Sequence, residues 1–465
     1  MRQVGAPWWT MTIAGTLAIV SFCCLAAIAV ASRSALRLDP SFGAGGVART
    51  GATQLDSGFE RSALVADSRR RLLVLGASRS SFTVTRYLAN GRLDRGFAGD
   101  GVAEVVVPGL TSPPVPEEGQ SGAGEPEPTA LALQPDGGIL LVGSYHANFG
   151  PGPASVVARL QPNGQIDPTF GGPGSGGEAP GQVVPRDPGI LTIAAQGRRI
   201  LIAGGGGGAY VTRLNHDGSL DRSFGGDHSG RIDLPPPPAG QTRLGKGRIG
   251  SLVVLRKGGF YAGGYHKGRF FLARLGRNGT LDRSFGEEGW VETSLSRQGG
   301  CHCSFGRSLT RDRRGRLLLA GTVSSAIAGL GSAFGRLSEP SKIAIARYRP
   351  DGSLDRSFGN DGTVLTRVAS AAYAHDIAVA PGGALFVAAT STGKDSPMGG
   401  AGERFTVLRY GADGRRQGLF AARFGGILAT AWEALVDQAG RVVVGGTVAY
   451  GSPRRVTALI ARFEG

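Results

Sequence analysis

The sequence predicts an all-β chain: a seven-bladed β-propeller of four-stranded antiparallel blades, the last blade closed by the N-terminal strand. Three observations predict it. A set of three sequence marks recurs along residues 36–465. Glycine and proline, 79 and 26 of 465 residues, punctuate short apolar runs. The two ends of the repeat region carry complementary parts of one unit.

The first mark is Leu/Ile-Asp-x-x-Phe. Its Asp and Phe are Asp39 and Phe42, Asp94 and Phe97, Asp167 and Phe170, Asp221 and Phe224, Asp282 and Phe285, Asp355 and Phe358. A seventh copy, around Arg415 to Phe420, is degenerate. An Asp opening a turn accepts a hydrogen bond from the backbone two residues on, and Pro in second place pre-sets φ. Pro40 and Pro168 fit that place. The Phe is expected to plug the gap between blades. Calcium ligation around Asp351 to Asp361 is not expected, because alternating carboxylates and a bidentate Glu are missing.

The second mark is a turn followed by an apolar run ending in small residues, as in Asp136 to Gly143 and Gly315 to Gly321. The third is an Arg before Leu, Tyr or Phe: Arg86, Arg159, Arg213, Arg274, Arg347, Arg409 and Arg462. Their spacing implies a core unit of about 53 residues with insertions, the signature of a repeat architecture.

Each unit reads as four strands. Ala130 to Leu133 is the first, and Asp136-Gly137 the turn after it. Ile139 to Val142 is a continuous apolar run, as expected of a strand buried on both faces. Val156 to Leu160 is the third, and Asn163-Gly164 turns into the Ile-Asp-x-x-Phe link. A run such as Gly101 to Val106 supplies the fourth. Such four-stranded units repeated radially make a propeller.

The sequence stops at Ala461 to Gly465, after a third strand. Leu38 to Phe42 and Gly46 to Thr50 hold the link and fourth strand that this last unit lacks. An N-terminal strand completing the last blade removes an exposed sheet edge.

Hydrophobic residues make up 41%, which excludes a disordered chain, and no strict Gly-X-Y period makes it collagen. The net charge of +16 favours anionic partners, although the basic residues are spread rather than clustered. The expected partner is an anionic envelope polymer or a surface protein. Nucleic acid is not expected, nor is any cofactor, and the chain reads as a monomer.

From Met11 to Ala31 there is no charge, and Ala29-Val30-Ala31 fits a small-x-small cleavage site. Residues 1–31 therefore read as a signal peptide. The alternative is an N-terminal membrane anchor over 11–31, since about 20 apolar residues span a bilayer. Phe22 before Cys23 argues against lipidation. Either reading places the rest outside the cytoplasm, secreted or at the cell surface, with membrane contact only through the leader.

Together, the link elements and Asp-Gly turns resemble the delta-60 repeat family, bacterial β-propellers largely without assigned function. The resemblance covers nearly all of 36–465 and implies a propeller. It implies no catalytic residues. The sixth unit departs from it between Arg415 and Phe424, so its fourth strand is the least defined.

Alternating strand direction puts most insertions on one face. Residues 108–128, 235–247 and 294–304 join a fourth strand to the next first strand. Residues 145–154, 324–341 and 391–403 join second to third strands. Only 172–180 falls opposite. Long loops on a rigid scaffold carry binding, so this face is the expected working face.

Single residues say less. Cys301, His302 and Cys303 form a soft-ligand triplet, but structural zinc needs four ligands at other spacings. Tyr145-His146 and Tyr265-His266 follow second strands at what reads as equivalent positions, as candidate ligand contacts. The six histidines show no metal-pair spacing, and no Gly-x-Ser-x-Gly elbow is present. Gly204 to Gly208 reads as a bend rather than a phosphate loop.

A non-catalytic binding or scaffold role is therefore expected. The alternative is an enzyme, a hydrolase or lyase on envelope glycans or esters, working at the central channel mouth. Its candidates are Glu433, Asp376 and His375. Three or more ionisable side chains gathered at the axis would turn the reading towards catalysis.

Overall fold

A computed structural model describes residues 36–50, 53–54, 62–78, 80–107, 126–146, 153–171, 179–187, 189–205, 208–234, 247–295, 303–324, 341–392, 402–437, 439–451 and 455–464. Among them there is no helix. The strands form seven antiparallel sheets, each one blade. The first strands of blades 1 to 7 are Ala63–Ala66, Glu127–Leu133, Ile190–Gln196, Gly247–Val254, Cys303–Arg311, Ala372–Val379 and Leu428–Val436. Each packs against the first strand of the next blade, and the seventh packs against the first. They form the inner ring of a seven-bladed propeller.

Burial follows from position in the blade. Second strands lie between neighbouring blades, and Leu317–Ser324 and Leu385–Thr392 are buried throughout. The fourth strand Val102–Val106 alternates exposed and buried, as an outer strand with one covered face should. The core lies between blades. Leu73, Leu75 and Phe82 of blade 1 pack with Leu131, Ile139 and Leu141 of blade 2. Each such side chain, fully buried, contributes roughly 1.5–3 kcal/mol.

Blade 7 is assembled from both ends of the sequence. Val47–Arg49 pairs with Leu459, Ile460 and Ala461, and Thr53–Gln54 pairs with Val456 and Arg455. The Asp39 amide donates to the Arg462 carbonyl at 2.8 Å. The fourth strand of blade 6, where the repeat pattern fails, is regular: Arg416–Ala422 is longer than any other fourth strand among the described residues. Without the link's turn, the chain runs straight into the sheet.

The small residues that end the second strands have a specific use. In blades 2 to 7 each first strand carries one extra residue: Thr129, Leu191, Gly250, Arg307, His375 and Trp432. The bulge pushes the preceding carbonyl into the second strand. A Cβ on Gly264 would lie 1.9 Å from the Arg248 carbonyl, and one on Gly321 2.0 Å from that of Phe305. Five of the six bulges face a glycine, and the bulge of blade 6 faces Ala389.

The links lock neighbouring blades together. The Arg213 Nε donates to Asp221 at 2.8 Å, its Nη1 reaches the Arg277 carbonyl in blade 4, and its Nη2 donates to Ser223 at 3.2 Å. Its guanidinium stacks over Phe224 at 4.6 Å. Arg86, Arg159, Arg347 and Arg462 each bond the Asp of their own unit and a carbonyl of the next blade. Arg274 pairs with Asp282 at 3.1 Å in a more exposed setting. The six Asp residues each accept an amide two residues on. Their Phe rings are fully buried and lie against turn glycines of the next blade, as Phe97 does against Gly164.

A candidate site at the propeller axis

The bulges decide which side chains meet at the axis. By strand pairing, Ser62, Thr129, Leu191, Gly250, Arg307, His375 and Trp432 share one level of the inner ring. The column is lopsided. Blades 1 to 4 supply small or aliphatic residues, and blades 5 to 7 supply large polar ones. Gly250 is small because a Cβ there would lie 2.5 Å from the Arg307 carbonyl.

Arg307 is the centre of the cluster. Its guanidinium lies 5.8 Å from the ring of Trp432, two blades away. Glu433, Asp376, Arg248 and Tyr265 are close enough to shift its charge. Burial, helped by Arg248, outweighs the opposing pull of Glu433 and Asp376 and lowers its pKa to about 10. It stays a cation at neutral pH. By area the side chain is only half-buried, yet it is strongly desolvated.

The next level of the ring is a set of stitches between blades. Ser251 donates to the Leu309 carbonyl at 3.3 Å. Ser308 donates to Asp376 Oδ1 and accepts from the Ile377 amide at 3.3 Å. Asp376 Oδ2 accepts from the Ala434 amide at 2.8 Å. Both oxygens of Asp376 thus hold blades 5, 6 and 7 together. His375 and Trp432 are buried, with rings 4.3 Å apart. Each is fixed within its own blade, His375 Nε2 by Thr390 at 2.9 Å and Trp432 Nε1 by Thr447 at 3.1 Å. Glu433 and Arg248 are half-buried. Tyr265 meets Phe305 edge to face at 5.1 Å.

The structure places the other sequence candidates apart from this site or leaves them undescribed. Tyr145-His146 and Tyr265-His266 are not equivalent, which corrects the sequence reading. Gly143 and Gly264 occupy the same bulge-facing position, so Tyr145 matches His266 and Ser144 matches Tyr265. A one-residue offset turns the two tyrosines to opposite faces. Tyr145 is buried in the core between blades 1 and 2. His266 is buried and its Nδ1 meets Glu292, beside Arg269. The His146 side chain, Cys301, His302 and the Cys303 side chain lie outside the described residues, as do residues 1–31. So does most of 108–128, 172–180, 235–247, 294–304, 324–341 and 391–403. Among the described residues no group of three or more His, Cys, Asp or Glu side chains could hold a metal ion.

Sequence reasoning named Glu433, Asp376 and His375 and missed Arg307, Arg248 and Trp432. A signal existed. Aligning the units on the small residue ending the second strand puts Arg307, His375 and Trp432 in one column.

Four units match a family model described as a domain of unknown function (DUF5122) beta-propeller, at residues 134–170, 198–224, 260–285 and 315–358. Each matched segment ends on the Phe of a link element. The match supports a propeller repeat family of unknown function. No curated protein matches the chain. Similar solved structures include virginiamycin B lyase from Staphylococcus aureus, at 11% identity over 89% of this chain and 98% of that one, TM-score 0.44. They include a protein from Lactobacillus plantarum, at 17% identity over 82% of this chain and 91% of that one, TM-score 0.42. A gluconolactonase from Xanthomonas campestris is also similar, at 16% identity over 72% of this chain and 90% of that one, TM-score 0.34. Nothing about activity follows from likeness at this level.

Proposed function

We propose that this chain is an exported, non-catalytic binding propeller of delta-60 type that recognises an acidic glycan at its axis. The observation that carries the reading is Arg307, a desolvated cation at the axis, grouped with Arg248, Glu433, Tyr265 and Trp432. An anionic sugar matches this set. Its carboxylate pairs with an arginine through charge-assisted hydrogen bonds, its hydroxyls donate to Glu433, and its apolar face lies on an aromatic ring. The overall charge of +16 draws polyanions towards the surface. Export rests on the apolar leader, and the insertion-bearing face remains the proposed route of approach.

A catalytic reading has one observation in its favour. Arg248, Arg307, Asp376 and Glu433 gather about the axis, which meets the count that would turn the sequence reading towards catalysis. Their bonding argues the other way. Asp376 is held at both oxygens and His375 at Nε2, so a free carboxylate pair is not left for general acid–base work. A hydrolase or lyase here would rest on Glu433 as base and Arg307 as stabiliser of an oxyanion.

Calorimetry of the full-length protein with acidic and neutral oligosaccharides separates these readings. Binding to acidic glycans that persists at high salt, and weakens roughly tenfold or more in Arg307→Gln, is expected. Binding that vanishes with salt, or is unchanged in Arg307→Gln, overturns an axial site. Turnover of the glycan, lost in Glu433→Gln, replaces binding with catalysis.

A further inference from the structure

The junction between blades 6 and 7 lacks the Arg–Asp pair that each of the other six links carries. Blade 6 keeps its arginine, Arg409, but Gln417 stands eight residues on, where Asp94, Asp167, Asp221, Asp282 and Asp355 follow their own arginines. Gln417 is bulged out of the strand, between the pairs Arg409–Gly418 and Tyr410–Arg416, and is exposed. Phe420 keeps the spacing of the link Phe but pairs with Val407 in the sheet and packs on Phe463 at 5.0 Å.

Arg409 is left without its carboxylate. Its side chain is half-buried over Phe386, 5.7 Å from the ring centroid. Its Nε is fully buried and has no hydrogen-bond partner. Among the described residues no carboxylate lies within ion-pairing distance of it. The turn between first and second strands, which brings Arg71, Arg199, Arg316 or Arg441 beside the Asp in other blades, contributes Ala384 here. A donor buried without a partner is destabilising, and a ligand that supplies the acceptor relieves it.

We propose that Arg409 is a carboxylate-binding subsite for an acidic peptide turn, an Asp followed two residues later by Ser or Thr. The molecule shows the expected complex in its other blades. Arg159 Nε takes Asp167 Oδ2 at 2.7 Å, and its Nη2 takes the Thr169 hydroxyl at 2.9 Å. Arg213, Arg347 and Arg462 repeat that arrangement with Ser. The subsite lies on the face of the link turns, opposite the insertion-bearing face. It is independent of Arg307 and of any glycan.

The test uses the full-length protein and a capped Ile-Asp-Pro-Thr-Phe-Gly peptide, the sequence of residues 166–171. Acetate is the free-carboxylate control. The peptide is expected to bind more tightly than acetate and to lose roughly tenfold or more in affinity towards Arg409→Gln, the worth of a charge-assisted hydrogen bond. A peptide with Asn in place of Asp is expected to lose as much. Should Arg409→Gln fold poorly, Arg409→Lys reads the same site. It keeps the charge but not the guanidinium fork, and is expected to weaken peptide binding severalfold while leaving Tm near that of the unaltered protein. No peptide binding, equal binding of acetate, or equal binding by Arg409→Gln overturns the proposal.

Discussion

The same Arg–Asp pair recurs around the ring in different surroundings, and burial decides what it is worth. Arg213 and Asp221 have side chains only 1% and 5% exposed, whereas Arg274 and Asp282 are each 32% exposed. Removing one partner of a buried pair leaves an uncompensated charge and costs about 3–5 kcal/mol. An exposed pair is worth about 0–1 kcal/mol. Arg213→Ala should therefore lower stability far more than Arg274→Ala in urea unfolding, and equal losses would mean that burial is not the deciding variable. Acid acts on the same residues. Burial alone would raise the carboxyls of Asp39, Asp167, Asp221 and Asp355. The Ser or Thr hydroxyl and amide two residues on, together with the paired arginine, outweigh it and hold each below its ordinary value. A depressed folded pKa means stability that is complete above the unfolded value of about 3.9. It is lost as pH falls through the folded values. The urea midpoint should stay level down to about pH 5 and drop below about pH 4. A midpoint that holds at still lower pH would remove these carboxylates from the stability of the ring.

At the scale of the strand, the bulge and the glycine that faces it in five of six bulged blades form one device. Gly264→Ala would place a methyl group 1.9 Å from the Arg248 carbonyl, where backbone and not a pliable side chain must yield. A loss of about 2 kcal/mol or more is expected, with displacement of Arg248 and weaker ligand binding at the axis. Gly382 has no heavy atom within 4 Å of an added Cβ, so Gly382→Ala should stay within about 0.5 kcal/mol. Thermal unfolding of the two variants distinguishes steric conflict at the bulge from a general intolerance of alanine. Strand identity was legible in the sequence because the apolar runs and Gly turns are local signals. The bulges were not, since an extra residue in a first strand leaves the apolar pattern almost unchanged. That is why Tyr145 and Tyr265 read as equivalent although their strands are offset by one residue.

For the whole molecule, closure matters more than any single blade. Residues 47–49 and 53–54 cover the edge of the strand Arg455–Phe463, and Asp39 neutralises Arg462. Removing residues up to 54 should expose that edge and leave Arg462 buried without its carboxylate. The expected result is a lower Tm and self-association visible in sedimentation. A truncated protein that stays monomeric and equally stable would show that the other six junctions close the ring unaided. One of those six, between blades 6 and 7, already lacks its Arg–Asp lock and is held by Phe420, Phe424, Phe405 and Phe463 instead.

The sequence by itself determined the blade count, the four-strand unit and the closure by the N-terminal strand. Each depends on turn chemistry within a few residues, repeated often enough to be read without coordinates. It also marked every Arg and Asp of the links, which meet across eight residues or across the two ends. The axial site was decided only by tertiary structure. Arg248, Arg307, Asp376 and Glu433 come from four different blades, and nothing local joins them. Whether each side chain faces the axis or the neighbouring blade depends on a one-residue bulge, because successive residues of a strand point to opposite sides.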